Sequence, residues 1–154
     1  MGQPASLSPR IIESLYVEGL MLSDEVRAAF DPIHRPSGDP EGAARIALSC
    51  EALRTTTRMM HSLAWLLNHR AYLKGEISDF QLRRHGRIPA NVPAADPVRL
   101  PMLEPQVREL IHATERFYAR LVRLDAAWRE RDVQPAGGRP AMQRLRERLA
   151  RSAG

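Results

Sequence analysis

Glu109 and His112 stand three residues apart in Glu109-Leu110-Ile111-His112, a spacing that puts a carboxylate and an imidazole on one helix face, as dinuclear iron bundles require. Such a centre needs a second Glu-x-x-His and further glutamates, and the sequence holds no second copy. The pair therefore reads as solvated or at a helix edge. His61 and His69 are eight residues apart, not the three or four that bring two imidazoles to one metal. Cys50 is the only cysteine; it falls in an apolar stripe and reads as core filler, because a buried thiol away from positive charge is inert. Gly137-Gly138 is a linker signal, and neither the Walker pattern nor GxGxxG occurs. The expectation is a protein without catalytic residues, metal or cofactor.

The remaining chemistry is charge. Arg83-Arg84-His85-Gly86-Arg87 is the tightest basic cluster of the body, and it reads as a solvated turn. The formal net charge is +5, but five arginines against one acid from Arg139 onward account for +4, which leaves about +1 elsewhere. A nucleic-acid role would rest on that tail and on the Arg83–Arg87 cluster; a helix-turn-helix would need two short helices and a tight turn, which the pattern lacks. Nucleic acid is thus the secondary expectation. A lone cysteine, no export signal and no apolar run near the roughly 20 residues of a membrane span point to the cytoplasm.

These residues must be positioned by helices. Leu7-Ser8-Pro9 supplies a cap, a proline at the first helical position and a hydrophobic staple to Ile12, and the spacing of Ile12, Leu15, Gly19, Leu22, Val26 and Ala29 predicts a helix over 9–30. Asp39-Pro40-Glu41 opens a second long helix that Gly75 closes. Its stripe of Ile46, Cys50, Leu53, Thr57, Met60, Ala64, Leu67 and Ala71 is coiled-coil-like. Ser78-Asp79-Phe80-Gln81 is a capping box for a short spur ending at Gly86. Pro89, Pro93, Pro97, Pro101 and Pro105 then make 87–104 a long loop, and a third long helix starts at Pro105, with Val107, Leu110, Thr114, Phe117, Leu121, Leu124 and Trp128 on one side. No alternating strand pattern competes. The fold class is all-α, an antiparallel three-helix bundle over 1–133 with long loops and a basic, flexible C-terminal tail over 134–154.

Apolar side chains surround most of the second helix between Met59 and Leu73. Two partner helices within the chain cover about half of that circumference, so the remainder falls to a second subunit or to the loop after Gly86 folding back. A symmetric homodimer is expected, with Met59, Trp65, Leu66, Tyr72 and Leu73 in its contact. Asp125 interrupts the third helix's apolar stripe and needs a partner. With the second and third helices antiparallel, equal rise per residue brings Arg54 and Tyr16 level with it, so a buried cluster of Tyr16, Arg54 and Asp125 is expected, with Arg58 as the alternative donor.

With the helices placed, Glu13-Ser14-Leu15-Tyr16, Leu53-Arg54-Thr55-Thr56-Thr57-Arg58-Met59-Met60, Ala64-Trp65-Leu66-Leu67, Lys74-Gly75-Glu76-Ile77-Ser78, Arg116-Phe117-Tyr118 and Arg123-Leu124-Asp125 together resemble the DUF1465 family of alphaproteobacteria, which includes the regulator of CtrA degradation. The likeness spans about residues 11 to 132 outside the loops. It implies a homodimeric three-helix-bundle adaptor, without enzyme activity, that helps deliver cell-cycle regulators to the ClpXP protease unfoldase alongside partner adaptor proteins. The loops and tail depart from the family pattern, so the cargo does not transfer.

Overall fold

The computed structural model describes residues 7–31 and 42–131. The expected cap at Asp39-Pro40-Glu41 and the arginine-rich tail lie outside the described residues. The described residues form four α-helices and no strand: α1 (Pro9–Ala29), α2 (Ala43–Leu73), α3 (Asp79–His85) and α4 (Pro105–Glu130), with a 3-10 turn at Leu100–Met102. No helix among them is long and apolar enough to cross a membrane.

Local chemistry fixes the ends of the helices. Ser8 accepts from the Ile11 amide at 3.3 Å and Pro9 occupies the first helical position of α1. Gly75, at φ +76°, ends α2 in a Schellman arrangement: its amide donates to the Tyr72 carbonyl at 3.0 Å and the Glu76 amide to that of Ala71 at 2.9 Å. The Ser78–Gln81 capping box of α3 is formed in both directions. Gly86 is the C-cap of the spur, its amide donating to the Leu82 carbonyl at 2.7 Å, and a Cβ there would come within 2.6 Å of that oxygen.

Helix directions follow from facing residues. Arg70 of α2 meets Glu13 of α1 at 2.7 Å, while Leu63 faces Gly19, so α1 and α2 are antiparallel. Arg120 of α4 pairs with Glu18, and Phe117 packs on Gly19, so α4 is also antiparallel to α1. Between α2 and α4 the numbers rise together. Arg58 bonds Thr114 at 2.9 Å, Trp65 bonds Asp125 at 2.9 Å, and the His69 ring lies 5.1 Å from that of Trp128. α2 and α4 are therefore parallel, which corrects the expected all-antiparallel bundle.

The proline-rich segment makes this possible. From Gly86 it runs back along the bundle, past Tyr118 and Arg58 to Glu51, before the turn at Leu100–Met102 delivers Leu103 beside Ala47 and Ile111. Between Pro93 and Asp96 it travels three residues while α2 travels seven, from Arg58 to Glu51; at about 3.3 Å and 1.5 Å per residue both distances are roughly 10 Å, so the segment is extended. It fills the groove between α2 and α4 as a fourth element. The main core combines Ile12, Leu15 and Val26 of α1 with Met59, Trp65 and Leu66 of α2, Phe117, Tyr118 and Leu121 of α4, and Ile88 of this strap.

Candidate functional site

The strap changes which face of α2 is inside. The buried residues are Ala47, Glu51, Thr55, Arg58, Met59, Ser62, Trp65, Leu66 and His69, a largely polar set. The apolar stripe expected to be core is on the outside: Ile46, Leu53, Met60 and Leu67, seven residues apart, are 47% to 70% exposed. Cys50 belongs to this outer face and is half-exposed, so it is not the core filler anticipated. On α1, Val17, Leu20 and Met21 are exposed as well. A shallow groove of about 550 Å³ joins the two helices, lined by Ser23 and Arg27 on one side and Ala52, Thr56, Met60 and Leu63 on the other.

Met59, Trp65 and Leu66, assigned from sequence to a dimer contact, are instead buried within the chain. Met59 lines the groove between α1 and α2 with Val26 and Phe30, Trp65 is tied to α4 through Asp125, and Leu66 lies in the same core, so elements of the chain itself cover them. Tyr72 is half-buried with its ring 6.5 Å from that of Trp128, and Leu73 is exposed.

The expected cluster of Tyr16, Arg54, Arg58 and Asp125 is not formed. Parallel packing puts residue 65, not 54, level with Asp125. The Asp125 carboxyl accepts from the Trp65 indole and, at 3.0 Å, from Arg129 one turn on. Arg54 donates to the Ala94 carbonyl at 2.6 Å, and Tyr16 lies under the Arg70 guanidinium, 4.1 Å from its ring centre. That Asp125 needed a partner was legible; the i,i+4 arginine at 129 was the available signal.

Arg58 and Tyr118 under the strap and His69 beside Asp125 are further buried polar groups. Arg58, fully enclosed, donates to Thr114 and, at 3.1 Å, to the Pro93 carbonyl, with Glu115 at 3.6 Å. Burial lowers its pKa against the pull of Glu115 and Glu51. Tyr118 donates to the Pro89 carbonyl, and burial pushes its hydroxyl up to about 12. His69 sits between Trp65 and Trp128, and burial pulls it down to about 4 although Asp125 opposes this. The other candidates are occupied structurally. Glu109 accepts from Arg116 at 2.8 Å, His112 meets Glu115 at 3.2 Å, and Arg83 is held by Asp79 at 2.6 Å and stacks on Trp128. Among the described residues no three His, Cys, Asp or Glu side chains converge as metal ligands.

Residues 4–152 match the family model described as a protein of unknown function, DUF1465. The chain belongs to the DUF1465 family. The match spans nearly the whole sequence, including the strap and the tail that were outside the motifs carrying the resemblance. No curated protein and no solved structure matches the chain.

Proposed function

We propose that this member of the DUF1465 family is a non-enzymatic adaptor that works as a homodimer and binds other proteins, in the manner of family members that assist ClpXP-mediated degradation of cell-cycle regulators. The observation that carries the reading is the exposed heptad of Ile46, Leu53, Met60 and Leu67, interleaved with Cys50, Thr57, Ala64 and Ala71. Four large apolar side chains on one line of a 31-residue helix are a contact surface of the coiled-coil kind, with small residues alternating to let a second helix approach. A two-fold axis makes the face self-complementary. Asp125, Asp79, Arg83, Glu109, His112 and Glu115 are engaged in structural hydrogen bonds and ion pairs, which also favours binding over chemistry.

Affinity capture with the protease unfoldase and its partner adaptors tests the reading, using the wild-type chain and Leu53→Asp. Retention by the wild type and loss by the variant are expected. Unchanged turnover of every candidate substrate in cells lacking the protein contradicts it.

A further inference from the structure

Between Pro89 and Asp96 five hydrogen bonds tie the strap to the groove, and each uses a main-chain atom of the strap. Tyr118 donates to the Pro89 carbonyl, Arg58 to that of Pro93 and Arg54 to that of Ala94. The Ala95 amide donates to Glu115 at 2.7 Å and the Asp96 amide to Glu51 at 3.1 Å. The side chains of Pro93 and Ala94 point away from this grip and are exposed. Ile88, Val92 and Ala95 are the strap residues that pack on the core. Recognition of this form reads an extended backbone and is largely indifferent to sequence, and prolines lower its entropic cost by presetting the extended conformation.

The groove floor is chemically unsuited to a merely structural loop. Glu51, Thr55, Arg58 and Thr114 are all buried beneath the strap, and enclosing charged groups is costly where apolar side chains would hold a loop equally well. The fit is also incomplete. One Glu51 carboxyl oxygen and the Thr55 hydroxyl are buried without any hydrogen-bond partner. The strap offers Asp96 at this point, an acid that turns instead to Arg99 at 3.3 Å and has no donor to give.

We infer that the groove between α2 and α4 is a receptor for an extended, proline-containing peptide of another protein, that residues 88–96 occupy it in cis, and that a peptide bearing a donor side chain at the Asp96 position displaces them. This rests on the protein-binding reading and specifies the form of the partner.

The test uses the full chain and a fluorescent peptide of residues 87–98, followed by anisotropy. Val92→Asp loosens the strap without touching the gripping residues, and circular dichroism checks that the variant is folded. The peptide is expected to bind Val92→Asp at least tenfold more tightly than wild type, and the same peptide carrying D96K at least threefold more tightly again. Adding Arg58→Ala should abolish both. No binding to folded Val92→Asp, or binding indifferent to Arg58, overturns the inference, as does formation of strap-exchanged dimers in place of peptide binding. If Val92→Asp does not fold, amide exchange in the wild type decides. Exchange at Ala95 and Asp96 at least tenfold faster than in α4 around Thr114 supports a strap that lifts alone; equal rates overturn it. Absence of peptide binding with Leu53-dependent partner capture retained removes the groove and leaves the adaptor reading standing, whereas peptide binding without capture does the reverse.

Discussion

Asp125 and His69 show how single residues set the interior of this protein. Asp125 joins α2 to α4 through the Trp65 indole while neutralising Arg129, so its removal strands two donors in a desolvated place. Each hydrogen bond to a charged group contributes about 1.5–3 kcal/mol, so Asp125→Ala should cost about 3 kcal/mol or more in urea unfolding. A loss below 1 kcal/mol would mean that the pair adds nothing. His69 packs between two tryptophans, with Asp125 and Arg129 as the nearby charges. Its folded pKa of about 4 lies below the ordinary 6.5, so between these values the unfolded chain binds the proton and the folded chain does not. Stability contributed by neutral His69 is full above pH 6.5 and falls as the pH drops toward 4, by about 3 kcal/mol in all. His69→Phe should flatten that part of the stability profile relative to wild type; an unchanged slope refutes the assignment. Leu66, wholly enclosed, belongs to this scale too: Leu66→Glu should unfold the chain instead of dissociating a dimer.

At the scale of the elements, Gly19 and the strap determine how three long helices fit together. A Cβ at Gly19 would stand 3.2 Å from Leu63 and 3.3 Å from Phe117, so the missing side chain lets α1 touch α2 and α4 at one level. Gly19→Val should destabilise by about 1–3 kcal/mol through overpacking, measured as a lowered denaturation midpoint; an unshifted midpoint would show that the neighbours yield freely. The helices themselves were legible because their signals are local: Ser8-Pro9 opens α1, Gly75 closes α2, Ser78 and Gln81 cap α3, and Pro105 opens α4. Their directions were not. Five prolines exclude helix from 87–105 but say nothing of where that segment lies, and its path decides whether α4 runs with or against α2. Once the strap crosses the groove, Glu51, Thr55, Arg58 and Ser62 find partners or cover on the inside, and the face with the cleaner apolar period is left outside. Periodicity locates an apolar face; it does not say whether the chain's own elements cover it.

For the whole molecule, the proposed dimer rests on the outward α2 face. Its stripe runs from Ile46 to Ala71, and maximal antiparallel overlap with a second copy sets Ile46 against Ala71, Cys50 against Leu67, Leu53 against Ala64 and Thr57 against Met60, each large side chain facing a smaller one. Leu67→Cys should therefore form a disulfide with Cys50 of a second copy under mild oxidation, seen as a covalent dimer on a non-reducing gel; only monomer would exclude this register. Such a dimer leaves the strap groove, on the opposite side of α2, open to partners. The most direct test is the mass of the full chain in solution at micromolar concentration, by light scattering, for wild type and Leu53→Asp. The account predicts twice the 17.4 kDa chain mass for wild type and a helical monomer for the variant, whereas a monomeric wild type, or a dimer indifferent to Leu53→Asp, contradicts it.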